Sequence, residues 1–296
     1  MDILWALEGI RTPFLDFLFT MITRLAEEMI VIVIFCVLFW CLNKRLAYVI
    51  GIVFFLSAII VQGMKITFRV PRPWVYDPTF STVTGAEGTA TSYAFPSGHT
   101  QSGAAWLLPL GAVAKNKIVT AVLFTLALLV GFSRMYLGVH YISDVIAGFA
   151  IVIVIMILAL KFYFHAPENS KFEILFPLIT LIASATLLIL VAVLYRAGTT
   201  EYHMLRDSVL AAGAAAGFSV GMIIEQKFIN FSVKSKNIPI HIIKFVLGLA
   251  GTVGIMEGAR VLGSGLVADG FRYALMTLWI TAVYPLIIKR FLSVND

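Results

Sequence analysis

GFSRMYLGVHYISD, residues 131–144, places Ser133, Arg134, His140 and Asp144 between two apolar runs, in a chain that otherwise keeps charge out of its hydrophobic segments. His140 and Asp144 are four positions apart, so on a helix they face the same way. A carboxylate at that spacing holds an imidazole in one tautomer and stabilises its cation. Arg134 adds a planar donor fork suited to phosphate. Taken alone, the same residues equally describe a buried polar patch that tightens a helix pair, so the rest of the chain has to decide.

Working outward, the surroundings are those of a membrane protein. Of 296 residues, 60% are hydrophobic and 13% charged, and the mean hydropathy is +0.96. A soluble domain is nearer half apolar and a quarter charged. The composition implies an all-α fold, a polytopic transmembrane helical bundle with the lipid bilayer as its partner. Cys36 and Cys41 share one apolar run and read as small membrane-embedded hydrophobes, not a disulfide or a metal site. The net charge of +6 belongs to loops flanking the membrane and implies no nucleic-acid partner. The opening MDILWALE lacks a basic region, so no cleavable signal peptide is expected.

Residues 1–27 are amphipathic and interrupted by Pro13, which suggests an in-plane or re-entrant segment, with a first true span as the alternative. Apolar spans are expected at 28–43, 46–66, 98–114, 118–135, 141–163, 172–195, 207–225, 240–262 and 271–288, nine in all. Ten of the eleven lysines then fall on one side: Lys44, Lys115, Lys117, Lys161, Lys171, Lys227, Lys234, Lys236, Lys244 and Lys289. By the positive-inside rule that side is cytoplasmic. Lys65 is the exception, and it shares the opposite face with Arg72, His99 and His140.

Three segments meet on that face. In the first, Lys65 precedes VPRP, whose prolines stop a helix and let Arg72 turn back toward the lysine. The same cations would also suit a helix C-terminus or lipid headgroups. In the second, FPSGH (95–99) starts a helix. Its free N–H groups form an anion site, Gly98 permits close approach, Ser97 supplies a hydroxyl and His99 can donate a proton. A plain serine cap beside an incidental histidine is the other reading. The third is the opening stretch. Together these donors and cations suit a phosphoryl group, with His140 attacking phosphorus and His99 protonating the leaving oxygen. No cluster of carboxylates accompanies the histidines, so a metal-independent reaction with no cofactor is expected.

The ordered set K-x6-RP, PSGH and SR-x5-H-x3-D, at Lys65 to Pro73, Pro96 to His99 and Ser133 to Asp144, resembles the signature of the type 2 phosphatidic acid phosphatase (PAP2) superfamily, without a departure. The resemblance covers roughly residues 28–165. It implies a phosphohistidine intermediate on His140, Asp144 as its orienter, and His99 as acid and later base. It also implies Lys65, Arg72, Ser97, Gly98 and Arg134 as phosphate ligands.

The expected organisation is an N-terminal segment (1–27), a PAP2-like phosphatase core (28–165) and a C-terminal extension (166–296) of about four more transmembrane helices. In the extension Gly213, Gly217 and Gly221 recur every four residues, a close-packing face for a helix of the same chain or for a homodimer, the former preferred. Glu257 and Arg260 suit a mutual ion pair. Glu225 at a span end needs no special account. Asp77 and Glu87, in the loop from Trp74 to Tyr93, either touch a headgroup or lie in a solvated lid. The expected activity is hydrolysis of a lipid phosphate or isoprenyl diphosphate, with a phosphorylated lipid as substrate, at the non-cytoplasmic face. A soluble sugar phosphate, as in the glucose-6-phosphatase branch, and lipid binding or transport without hydrolysis are the alternatives. Compact loops and a C-terminal FLSVND without a retention signal point to a bacterial inner membrane, the site facing the periplasm, the exterior or a lumen.

Overall fold

The computed structural model describes residues 1–167, 170–235 and 237–292; Lys236 and most of FLSVND lie outside them. Among the described residues the regular structure is helical throughout, with no strand. The chain begins with α1 (Asp2–Glu8), α2 (Pro13–Thr23), α3 (Glu28–Val37), α4 (Lys44–Phe68) and the short α5 (Pro73–Tyr76). Then come α6 (Gly98–Val113), α7 (Lys117–Tyr136), α8 (Ile142–Ala159), α9 (Phe172–Arg196), α10 (Tyr202–Ile224), α11 (Ile238–Gly258), α12 (Leu266–Leu278) and α13 (Tyr284–Ile287).

Among the described residues seven helical segments are long and apolar enough to cross a bilayer, and four of them follow residue 170, as the sequence leads one to expect of the extension. The other two expected spans are helical but short. The helix through Glu28–Leu42 is bent by 49° from Pro13–Ala26, so that the two together make an eighth candidate. α6 has 16 residues, about 24 Å of helix against a hydrocarbon core of roughly 30 Å. Its chain direction is fixed at both ends by polar residues, Ser97 at the start and the Lys115–Lys117 turn at the finish, which leaves no room for a longer apolar run.

α4 is the axis of the bundle. Asn43 caps it by accepting the N–H of Leu46 at 3.0 Å. It stops at Arg69, whose left-handed backbone (φ 53°) turns the chain into Pro71 and Pro73. Between those ends it packs on α6 and α8 on one side and on α9 and α10 on the other. The Gly213/Gly217/Gly221 face is covered within the chain: a Cβ added at Gly217 would lie 2.1 Å from the carbonyl oxygen of Ala274 on α12, and one at Gly213 2.2 Å from that of Gly270. Small residues here let two backbones touch, which is how helices associate where water supplies no driving force.

The two ends of α4 are chemically distinct. At its start, Lys44 pairs with Glu225 at 2.9 Å. Glu225 is fully buried, takes the phenol of Tyr48 and accepts the N–H of Phe231 at 3.0 Å. The sequence gives no reason to single this carboxylate out. A charge near a span end is ordinarily solvated, but here the chain after α10 folds back over it. At its other end α4 carries Lys65 to the site. Glu257 and Arg260 do pair, at 2.8 Å, with both side chains more than half exposed.

Candidate active site

Local structure accounts for how each segment reaches the site. α7 ends at Tyr136, and Gly138 then adopts a left-handed conformation (φ 80°) that turns the chain before His140. An added Cβ there would meet Phe80 at 2.9 Å, so the turn is closed to larger residues by packing as well as by backbone. Asp144 lies in the first turn of α8 and caps it, Oδ2 accepting the N–H of Tyr141 at 2.9 Å. That backbone contact fixes the carboxylate, and the same Oδ2 lies 3.2 Å from Nδ1 of His140. Nδ1 therefore carries the proton, and the lone pair is on Nε2. His140 is buried, and desolvation together with the nearby Arg72, Lys65 and Arg134 cations pushes its pKa well below the usual histidine value. These favour the neutral ring, the form with a free lone pair.

The second segment is tied to the third through the main chain, the N–H of Ser97 donating to the carbonyl of Asp144 at 3.0 Å. Ser97 caps α6, its hydroxyl oxygen accepting the N–H of Thr100 at 3.3 Å. The serine-cap reading is thus correct as far as it goes, and the cap holds the start of α6 against α8. Nothing lies within 4 Å of where a Cβ on Gly98 would be. The missing side chain leaves open space at the helix start, of the kind an anion occupies.

The cations are anchored by main-chain carbonyls and threonine hydroxyls, most of them in the loop before α6. Lys65 donates to the carbonyl of Tyr93. Arg72 donates through Nε to Ser92 at 2.7 Å and through Nη1 to Val139 at 2.8 Å, and Nη1 also lies 2.9 Å from Nε2 of His140. Arg134 donates to the hydroxyls of Thr23 and Thr89, each at 3.0 Å. Its Nε is buried without a hydrogen-bond partner among the described residues.

Lys65, Arg72, Gly98, His99 and His140 line a cavity of about 320 Å³. Ser97, Arg134 and Asp144 do not line it; they stand behind those that do. Asp77 and Glu87 stay outside as well, bonded to Thr79 and Thr82 of their own loop. The rim is completed by residues the sequence does not flag: Thr89, Thr91 and Ser92, Glu28 at the start of α3, and Asp207 on α10, whose carboxylate accepts from Thr91 at 2.7 Å. An acidic residue at the head of an otherwise apolar span was the available signal for Asp207. Among the described residues no three His, Cys, Asp or Glu side chains are placed to hold a metal ion.

An oriented neutral imidazole, a second histidine and two buried cations around an open helix start are groups suited to a phosphoryl group. At the end of an apolar helical bundle they define an integral-membrane phosphatase. The family description "PAP2 superfamily" matches residues 45–168, and "PAP2 superfamily phosphatase, transmembrane extension" matches residues 209–295. The lipid A 4'-phosphatase of Porphyromonas gingivalis is 31% identical over 173 residues, covering 54% of this chain and 71% of that protein. The phosphatidylglycerophosphatase B of Bacillus subtilis is 37% identical over 82 residues, 24% of this chain and 40% of that one. The crystal structure of a transmembrane PAP2-type phosphatidylglycerolphosphate phosphatase from Bacillus subtilis aligns with a TM-score of 0.47 at 24% identity, over 57% of this chain and 86% of that one. The chain belongs to the PAP2 superfamily.

Proposed function

We propose that the protein hydrolyses a lipid phosphate or isoprenyl diphosphate through a phosphohistidine on His140. Nε2 attacks phosphorus as the bond from phosphorus to the leaving oxygen breaks, and His99 gives that oxygen a proton. Asp144 orients the ring and stabilises its cation. Water then attacks the phosphohistidine, giving a proton to His99, and inorganic phosphate leaves. Lys65 and Arg72, with the N–H groups at Gly98, carry the charge of the equatorial oxygens, while Ser97 and Arg134 support the phosphate-binding set from behind the cavity wall, the one by capping α6 and the other by its buried charge. No step calls on a metal.

The observation that carries the lipid reading is the shape of the cavity. From Lys65 and His140 it continues along α4 as far as Ile50, fifteen positions and so about 22 Å deeper. Beyond the rim its walls are mainly apolar, with Phe35, Phe54, Leu210 and Met276 among them. A soluble sugar phosphate has no use for such a shaft, whereas a hydrocarbon chain does. The two relatives named above, both bacterial, act by their names on phosphorylated lipids, which supports the same reading and a bacterial inner membrane. The lysine distribution supports a site on the non-cytoplasmic face, since Lys44 and most other lysines belong to the opposite end of the bundle. A division into residues 1–27, 28–165 and 166–296 goes with this proposal.

The test is phosphate release by the detergent-purified protein in EDTA from phosphatidic acid, phosphatidylglycerophosphate, undecaprenyl diphosphate and glucose 6-phosphate, with His140→Ala as control. Release from a lipid and loss in the variant is the expected result. Turnover of glucose 6-phosphate alone would overturn the lipid assignment, and full activity in His140→Ala would overturn the nucleophile.

A further inference from the structure

The shaft has a wall that the phosphatase signature does not supply. One side comes from α3 and α4, through Phe35, Ile50 and Phe54; the other comes from the extension, through Leu210, Ala211, Ala214 and Phe218 on α10, Met276 on α12 and Ile280 in the helical turn that follows it. Ala211 and Ala214 are the smallest apolar groups on that wall, and they sit between the rim residue Asp207 and Phe218. Phe218 is almost fully buried, with its ring against the backbone of α4, since a Cβ at Gly51 would lie 2.4 Å from it. The small residues hold the shaft open, and the phenyl ring narrows it at depth.

Resting on the lipid reading above, we propose that the C-terminal extension is the chain-binding half of the active site: α10 and α12 close the shaft around one alkyl or isoprenyl chain of the phosphorylated substrate, with Ala211 and Ala214 setting its bore and Phe218 its depth. The occupant is argued from continuity, because the shaft opens directly onto Lys65, Arg72 and His140 and a chain entering it is attached to the phosphate at its mouth. A lipid already in a bilayer gains little by moving from one apolar surrounding to another, so in the membrane the shaft selects by fit. For a substrate dissolved in water the chain does gain, and each buried methylene is worth up to about fourfold.

That difference gives the experiment. Monomeric alkyl phosphates from butyl to octyl are assayed below their micelle concentrations with wild type, Ala214→Phe and the milder Ala211→Leu, each confirmed monodisperse by gel filtration. In wild type kcat/KM should climb about two- to fourfold per methylene. In each variant the octyl-to-butyl ratio should fall at least about tenfold, as a blocked bore excludes the longer chain. A wild-type series flat in chain length overturns the proposal, as does an unchanged ratio in both variants. The latter result together with co-purified phospholipid would mean that the shaft holds a structural lipid instead. If wild type released no phosphate from any alkyl or lipid phosphate, it is the function proposed above that would fail.

Discussion

Nη1 of Arg72 stands over the face of the His140 ring. It is 2.9 Å from Nε2 and 3.4 Å from Nδ1; a donor in the ring plane on the Nε2 lone pair would be much farther from Nδ1. The guanidinium therefore covers the imidazole without capping the atom that carries the free lone pair. Because Nε of Arg72 and the same Nη1 are also held by the carbonyls of Ser92 and Val139, its position is set by the main chain. It is a fixed positive charge beside the place where a phosphoryl group would meet Nε2.

A fork so anchored should not be replaceable by a point charge. Arg72→Lys is expected to lose about 10²-fold in kcat, close to the loss in Arg72→Ala, since a lysine cannot reach Ser92, Val139 and phosphate together. Phosphate-release kinetics on the best lipid substrate, with gel filtration to confirm folding, checks this. A Lys variant within threefold of wild type would show that charge alone suffices.

The pair of His140 and Asp144 makes a covalent prediction. Wild type given a substrate labelled on its phosphate and quenched in alkaline detergent, where a phosphoramidate survives, should carry label on the protein, and His140→Ala should not. Asp144→Asn leaves the ring in place but removes the negative charge that stabilises its cation. Its kcat should fall by about 10²–10⁴-fold. Stable labelling of His140→Ala would move the nucleophile elsewhere.

The sequence made the local devices of this site legible and left its assembly hidden. Pro, Ser and Gly at 96–98 announce a helix start, and the spacing of His140 and Asp144 announces a contact, because both are consequences of bonds within one turn. The partners of Arg134 were not legible. Thr23 and Thr89 lie 111 and 45 positions away, and a threonine near a helix end has no feature that marks it as an arginine's acceptor. The same holds for Glu225, whose burial depends on how residues 230–231 fold back. The apolar shaft was invisible for a further reason: every residue lining its depth reads equally well as lipid-facing or as core.

The depressed pKa of His140 fixes a sign. Unfolded, the imidazole takes a proton as pH falls through about 6.5; folded, burial and three cations resist it. The folded state then binds fewer protons, so stability is complete above about pH 6.5 and declines below it, down to the lower folded pKa. His140→Gln should weaken this acid sensitivity, so that thermal midpoints measured between pH 7.5 and 5 fall less in the variant. In wild type the acid limb of kcat/KM should lie below pH 6.5. A limb above that value would show that His140 is charged in the free enzyme.

Glu225 and Lys44 test whether the extension is held to the core from the far end. Glu225 is fully buried while Lys44 retains some exposure, so loss of the carboxylate leaves a cation that can partly turn to water. Glu225→Ala should cost about 2–4 kcal/mol, and Lys44→Met in the Ala background should recover part of that. Denaturant unfolding of the two single variants and the double variant measures the coupling. Additive losses would mean that the pair contributes no coupling energy.

The glycine face between α10 and α12 joins stability to substrate handling. A methyl at Gly217 has the Ala274 carbonyl 2.1 Å from its ideal position and the Thr277 hydroxyl oxygen 2.4 Å away. The nearest obstacle is backbone, so the helices have to separate, at a cost of about 1–3 kcal/mol for Gly217→Ala. The hydroxyl of Thr277 also donates to the carbonyl of Ala214 at 2.8 Å, a bond that separation would stretch or break. Ala214 and Thr277 both line the shaft. Separation therefore widens it, and the variant should lose discrimination between straight and branched chains before it loses the ability to release phosphate. The readout is the ratio of kcat/KM for a straight-chain and a branched-chain lipid phosphate, taken alongside the thermal midpoint. A lower midpoint with an unchanged ratio would separate the packing of the two helices from the bore of the shaft.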